Sequence, residues 1–315
     1  MRKILGLILI GLGGFLLVLG LLATLWVPGQ VKRAPIDTDS ITRLSGTAAV
    51  IPAGDTNVDV RAISSTKSDK NKSDDDVAVY ASYTCLVLDV PGPDCGKPGT
   101  GENADPNVIS VGQPDIFATD RVTGMAVNSS KYLPQGTPKT EGLVNKFGFD
   151  TAKRDYPFWD GVLNDTVTAK YEATEEVDGL ETYRFHYVVD QQDATIASGV
   201  EGTYSMDKTM WIEPATGQII DQEQHDVRAI DGKTLLDVQL SFTDDQVSTN
   251  AEDAKSNKSS LDLLTHTVPI IGFVGGIVLI LLGVALVVMS RRRSGKGGHA
   301  KDAPADSGSL RKTNA

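Results

Sequence analysis

Cysteine, histidine and aromatic side chains are scarce in this chain. Two cysteines and four histidines stand among 315 residues, and Phe, Trp and Tyr make up 6%. Two cysteines without C-x-x-C spacing supply neither a zinc knuckle nor a thiol-redox motif. No glycine-rich phosphate loop, G-x-S-x-G or H-E-x-x-H occurs, so the signatures of nucleotide binding, serine hydrolysis and zinc proteolysis are missing. His186, His225 and His266 fall in separate segments, and no local pattern joins one to a nucleophile. "DTNVD", residues 55–59, opens like a calcium loop, but Val60 stands where glycine is needed and Thr66 where glutamate is needed. The chain is expected to have no catalytic, cofactor or metal-ligating residues and not to be an enzyme.

Charge is absent in two places. From Ile4 to Val27 there is no charged residue, and there is none between Thr267 and Ser290. A bilayer core of about 30 Å needs roughly 20 apolar residues in a helix, so residues 4–27 and 267–290 are expected to be transmembrane helices. The first run is longer than a secretory signal core, and Ala23-Thr24-Leu25 is a poor cleavage site, which favours an uncleaved anchor. Pro28-Gly29 is expected to end that helix.

Basic residues flank both runs on the outer sides: Arg2 and Lys3 before the first, Arg291, Arg292, Arg293 and Lys296 after the second. Such flanks lie in the cytoplasm. Residues 1–3 and the tail 291–315 are therefore expected inside, leaving residues 28–266 on the other side of the cell membrane. The first three residues carry +2 and the tail +5, so of the chain's −11 the middle segment holds −18. That acidity argues against nucleic acid as a partner. The tail is poor in large apolar residues and is expected to be disordered.

Helical periodicity is missing between residues 46 and 250, and period-two patterning takes its place. Tyr183, Phe185, Tyr187 and Val189 alternate with polar residues, as Val167, Ala169, Tyr171 and Ala173 do across Asp178-Gly179. Asp-Gly between alternating runs predicts a β-hairpin. Asp231-Gly232 repeats the device, and "MWIEPATGQII" turns at Pro214–Gly217. Residues 166–247 thus read as an antiparallel meander, residues 28–45 as an irregular entry, 65–76 as a charged loop and 250–262 as a short helix or tether. The fold class is mainly β: an extracytoplasmic antiparallel domain, as a meander, half-open barrel or sandwich, between two membrane helices. His186 and Arg184 fall on the polar face, and the aromatic-rich segment 131–160 is expected to fold onto the core.

Cys85 and Cys95 flank Pro91-Gly92-Pro93 in the segment expected outside, where oxidation is permitted, and are expected to pair. Gly6, Gly13 and Gly20 share one face of the first apolar run. Gly276 and Gly283 repeat the spacing in the second, with Gly272 four residues earlier. Small residues let membrane helices approach closely, so these faces are expected to meet, within one chain or across a homo-oligomer. Neither run carries a charge at mid-depth, which speaks against an ion path through the pair.

"FATDRVTG" (117–124), "FDTAKRDYPFWD" (149–160), "GLETYRF" (179–185) and "WIEPATGQI" (211–219) between two terminal spans resemble an actinobacterial membrane family of unknown function, sometimes labelled a PorA-type porin. The resemblance covers nearly all of the chain but the tail. It implies a cell-envelope protein and supplies no catalytic residues. Three functions are expected, in this order: a non-enzymatic β-domain that binds lipid, wall component or protein partner; a pore or transport component; an extracytoplasmic hydrolase.

Overall fold

The computed structural model describes residues 2–50, 55–91, 94, 95, 105, 107–112, 114–197 and 199–294. The chain forms two compact units, Met1–Pro28 with Leu263–Ala315, and Gly29–Asp262. The tail beyond residue 294 and most of the turn at 91–93 lie outside the described residues.

The first unit is an antiparallel helix pair, α1 (Arg2–Leu25) and α4 (Val268–Ser294), the latter preceded by a π-helical turn at Leu263–Thr267. Both helices are long and apolar enough to cross a membrane. Gly6, Gly13 and Gly20 are buried. A Cβ on Gly13 would stand 2.6 Å from the Gly276 carbonyl oxygen, one on Gly6 2.7 Å from that of Gly283, and one on Gly272 2.8 Å from Gly20 Cα. No side chain fits at such distances, so glycine is what permits the backbones to touch. These faces meet within one chain. Outward, Leu5, Ile8, Phe15, Ile270, Ile271 and Leu281 are exposed, which suits hydrocarbon and not water.

Pro28 does not stop helical structure outright. Proline fits the first helical turn, where its missing N–H costs nothing, and here it sits second in a five-residue helix, α2 (Val27–Val31).

The second unit is built on eleven strands: β1 (Asp39–Val50), β2 (Asp55–Ser68), β3 (Val77–Leu88), β4 (Val108–Val111), β5 (Asp115–Asp120), β6 (Tyr156–Asp160), β7 (Asp165–Val177), β8 (Leu180–Ala197), β9 (Val200–Glu213), β10 (Gln218–Ile230) and β11 (Lys233–Phe242). They form one open antiparallel sheet in the order β4-β3-β2-β1-β11-β10-β9-β8-β7-β6, with β5 also paired to β3. Two meanders are joined where the first and last strands pair, Leu44 opposite Phe242. The start of β1 and the end of β11 therefore lie at the same end of the domain. β1 begins at Asp39, inside the stretch expected to be irregular, because Asp39–Arg43 pairs with Ile63–Lys67.

Among the described residues, isolated bridges link β5 to β6. Thr119 pairs with Ala126, Met125 with Leu143, and Leu143 with Phe158 of β6. Segment 121–155 thus spans the gap between β5 and β6 without becoming a strand, and the sheet is not a closed barrel.

Period-two alternation is interrupted by bulges in several strands, and one falls in the hairpin that the sequence marks most clearly. A bulge between Tyr171 and Ala173 pairs Tyr171 with Phe185 but Ala173 with Arg184, so Ala173 faces opposite to Tyr171. An extra residue in a strand inverts the facing of the residues beyond it. The β7–β8 turn places Asp178 at φ 46° and Gly179 at φ 75°, and Asp231-Gly232 repeats the pair at 48° and 72°, the positive values that a type I′ turn requires. Gly179→Val is expected to cost about 1–3 kcal/mol, the usual strain of a branched residue there. Thermal melting of the full chain would show it, and an unchanged melt would contradict the turn's importance.

Helix α3 (Asp244–Asp262) starts six residues before the helix or tether expected from the sequence. Thr243 Oγ1 accepts from Gln246 N at 3.2 Å, and Asp244 and Asp245 occupy the first turn, where acidic residues are favoured. Its only buried residues, Ala251 and Ala254, pack on Leu180 and Ile220. So narrow an apolar stripe gives little period for a sequence to show.

Candidate binding surfaces of the β-domain

The domain packs around Phe147, which has no exposed surface. Its ring lies 4.7 Å from Phe185, 5.6 Å from Tyr156 and 5.8 Å from Phe158. The backbone beside it is gripped from two sides. A Cβ on Gly148 would stand 2.5 Å from Thr123 O, and one on Gly217 would overlap Gly148 O. Phe149 N donates to Val122 O at 2.9 Å, and Thr151 N to Pro214 O at 2.8 Å. The stretches 117–124, 149–160, 179–185 and 211–219 thus meet at one place. Carboxylates hold the turns: half-buried Asp120 accepts from Thr123 N, and Glu213, with no exposed surface, accepts from Ala215 N, Thr216 N and the Thr216 hydroxyl. The buried residues of these motifs are scaffold.

On the inward face lies a polar nest. Asp160, 3% exposed, accepts from Val162 N and Leu163 N at 3.0 Å, from the Tyr204 hydroxyl at 3.0 Å and from the Tyr187 hydroxyl at 3.1 Å. Arg228 Nη2 donates to Asp226 at 2.7 Å. Burial and the Asp160 carboxylate push both tyrosine hydroxyls far up. Half-buried Lys208, its Nζ 5.9 Å from the Phe158 ring, is pushed down to about 8 by burial, with Asp160 opposing. Lys146 is brought to about 8 by burial and by Arg121.

Between pH 8 and the ordinary lysine value of 10.5 the unfolded chain keeps protons that these two folded lysines have released. Stability therefore rises with pH across that window. The tyrosines act oppositely above pH 10, where the unfolded chain loses protons that the folded one keeps. Melting temperature is expected to climb from about pH 8 to about pH 10 and then fall, and Lys208→Met to flatten the climb. An unaltered slope in that variant would contradict the burial of Lys208.

Across β8–β10 the outward face is mostly polar, with Val188 and Trp211 among its apolar exceptions. His186 stands between two acids, Nδ1 3.1 Å from Glu172 Oε1 and Nε2 2.8 Å from Asp207 Oδ1. His225 Nε2 lies 2.7 Å from Asp237 Oδ1. A shallow open hollow of about 450 Å³ runs beside them, lined by Ser45, Thr47, Asp207, Thr209, Glu223 and His225 among others. The carboxylate neighbours of His186 are set by strand pairing across 14 and 21 residues and have no local signature. Among the described residues, no group of three or more His, Cys, Asp or Glu side chains is placed to hold a metal ion.

The sequence model of one protein family, described as Porin PorA, matches residues 5–285, which takes in most of both apolar helices and every described strand. The chain belongs to the PorA porin family. No curated protein matches it. Family and helices together fit a membrane protein.

In this PorA-family chain the two cysteines are bonded, Cys85 on β3 to Cys95, with Cα atoms 6.1 Å apart. Asp94, beside the bridge, pairs with Arg43 at 3.0 Å and Arg61 at 3.4 Å. Residues 94 and 95 are thus tied covalently to β3 and electrostatically to β1 and β2. The glycines of α1 and α4 face each other in one chain, so that face is occupied without a second copy. Segment 131–160 folds onto the core as its aromatics suggested: Leu143, Phe147 and Phe158 cover Phe185, Tyr187, Met210 and Ile212.

Proposed function

We propose that this PorA-family protein is held by two membrane helices and presents its β-domain outside the cytosol, where it binds an envelope component and neither conducts nor catalyses. One observation carries the reading: β7–β10 are filled on the inside and mostly polar on the outside. Phe147, Phe185, Met210 and Ile212 have no exposed surface, and Tyr204 has 1%, so side chains occupy the space a lumen would need. Lys170, Glu172, Arg184, His186, Asp207 and Glu223 line the outward face, whereas a membrane barrel needs an apolar outward band. Basic flanks at Arg2-Lys3 and Arg291–Arg293 favour both termini inside. A deep apolar lipid cavity in the sheet is disfavoured by Leu143, Phe147 and Phe158, which cover its inward face.

The family's description favours a second reading, an oligomeric pore. Planar-bilayer recordings on the purified full chain separate the two. Silent membranes at protein levels verified by recovery are expected. Stepwise conductance that scales with protein would overturn the binding reading.

A further inference from the structure

At the rim of the inward face the core covers three tyrosines only partly: Tyr156, Tyr171 and Tyr183. Tyr171 lies 5.8 Å from Tyr183 and 5.9 Å from Phe185, and Tyr156 5.7 Å from Phe185. The rings therefore form one continuous aromatic ledge. Two cations stand over it. Lys153 Nζ is 4.9 Å from the Tyr183 centroid and Arg154 Cζ 4.9 Å from that of Tyr156. Both residues are exposed. Among the described residues neither engages a carboxylate, while Lys32, Arg43, Arg61, Lys67 and Arg184 of the same domain all do.

The neighbouring acids are committed or set apart. Asp150 is paired with Lys32 at 2.7 Å, and Asp155 accepts from Tyr171 N at 3.0 Å. Glu176 and Glu181 face each other further along the β7–β8 hairpin and bound the ledge on that side. In a segment of net charge −18, two exposed cations without a carboxylate partner, held over half-buried tyrosine rings, make a local basic patch. Their chemistry suits a ligand with an anionic group for the cations and a flat, weakly apolar face for the rings. An acyl chain would need depth, and Phe147 and Phe185 beneath leave none.

We propose that Lys153, Arg154, Tyr156, Tyr171 and Tyr183 form a binding site for an acidic saccharide, a sugar ring bearing a carboxylate or phosphate. The proposal rests on the proposed binding function and names its ligand class. Conductance in bilayers would sink that function, whereas failed sugar titrations sink this site alone.

The test is calorimetric titration of the full chain in nanodiscs with oligogalacturonate, glucose 6-phosphate, neutral maltoheptaose and polyaspartate. Binding of at least one acidic sugar is expected, about tenfold or more tighter than maltoheptaose or polyaspartate. Lys153→Glu with Arg154→Glu is expected to weaken it about tenfold or more with melting unchanged, and Tyr183→Ala to weaken it as well. Lys153→Arg with Arg154→Lys should retain it within about threefold. The proposal is overturned by equal affinity for the neutral sugar or for polyaspartate, by unaltered binding in the charge-reversed variant, or by no response to either acidic sugar. Binding confined to phosphatidylinositol vesicles would overturn it too, by assigning the ledge to a lipid surface.

Discussion

Replacing Phe147 with alanine is expected to cost the β-domain about 3–5 kcal/mol, the usual range for a fully buried phenylalanine. The ring has no exposed surface and touches Phe185, Tyr156 and Phe158. Aromatic pairs contribute about 0.5–1.5 kcal/mol each beyond their buried area. The site cannot collapse easily, because Gly148 and Gly217 already hold the neighbouring backbones at contact. Total stability of a domain is about 5–15 kcal/mol, so the loss is a large part of it. At this domain size the melting temperature should fall by roughly 6–20 °C. Phe147→Leu, which keeps most of the volume, should lose much less. A fall of under about 2 °C for the alanine variant would mean that Phe147 is not where the domain is held together.

Asp160→Ala should be comparably damaging for a different reason. Removing the carboxylate strands four donors at once: Val162 N, Leu163 N and the hydroxyls of Tyr187 and Tyr204. Each buried unsatisfied group costs about 1–3 kcal/mol, and water entering the vacated space would restore some bonds. The expected net loss is about 3–5 kcal/mol, the range seen when one partner of a buried charged network is deleted. Asp160→Asn keeps the size and one of the two acceptor oxygens, enough for Val162 N and Leu163 N, so it should fall between alanine and wild type. Tyr187→Phe with Tyr204→Phe tests the same network from the donor side. In that background Asp160→Ala should cost less, because two of the stranded donors are gone. Full additivity of the three changes would contradict the shared network.

Much of the fold was legible because it is encoded locally. Asp178-Gly179 and Asp231-Gly232 announce their turns by the backbone angles they tolerate, and the alternation around Tyr183–Val189 shows which way β8 faces. Apolar runs free of charge mark α1 and α4, and their glycine spacing marks the contact between them. What was hidden depends on long-range pairing. The bulge at Glu172 leaves no trace in composition. Asp160 meets Tyr187 and Tyr204 across 27 and 44 residues, so its burial could not be told from that of any other acid. The early start of α3 was masked because only Ala251 and Ala254 face inward. The candidate site on the ledge was half visible. Residues 149–160 stood out for their aromatics and basic residues, while Tyr171 and Tyr183 join them only through the pairing of β7, β8 and β6.

Strand facing also limits what the family description can mean for this chain. A conducting barrel puts polar residues inside and apolar residues out. Here Met210, Ile212 and Phe185 point in, and His186, Asp207 and Glu223 point out. Neither apolar run offers a charged side chain at mid-depth.

The central claim is that an acidic, filled β-domain sits outside the cytosol between two spans whose ends are inside. Single-cysteine labelling tests it most directly, because Cys85 and Cys95 are bonded to each other and leave no competing thiol. Lys233→Cys, at an exposed hairpin turn, should react with a membrane-impermeant maleimide on intact cells, and Ser307→Cys in the tail should react only after permeabilisation. Labelling of the tail on intact cells, with Lys233→Cys protected until lysis, would contradict the account.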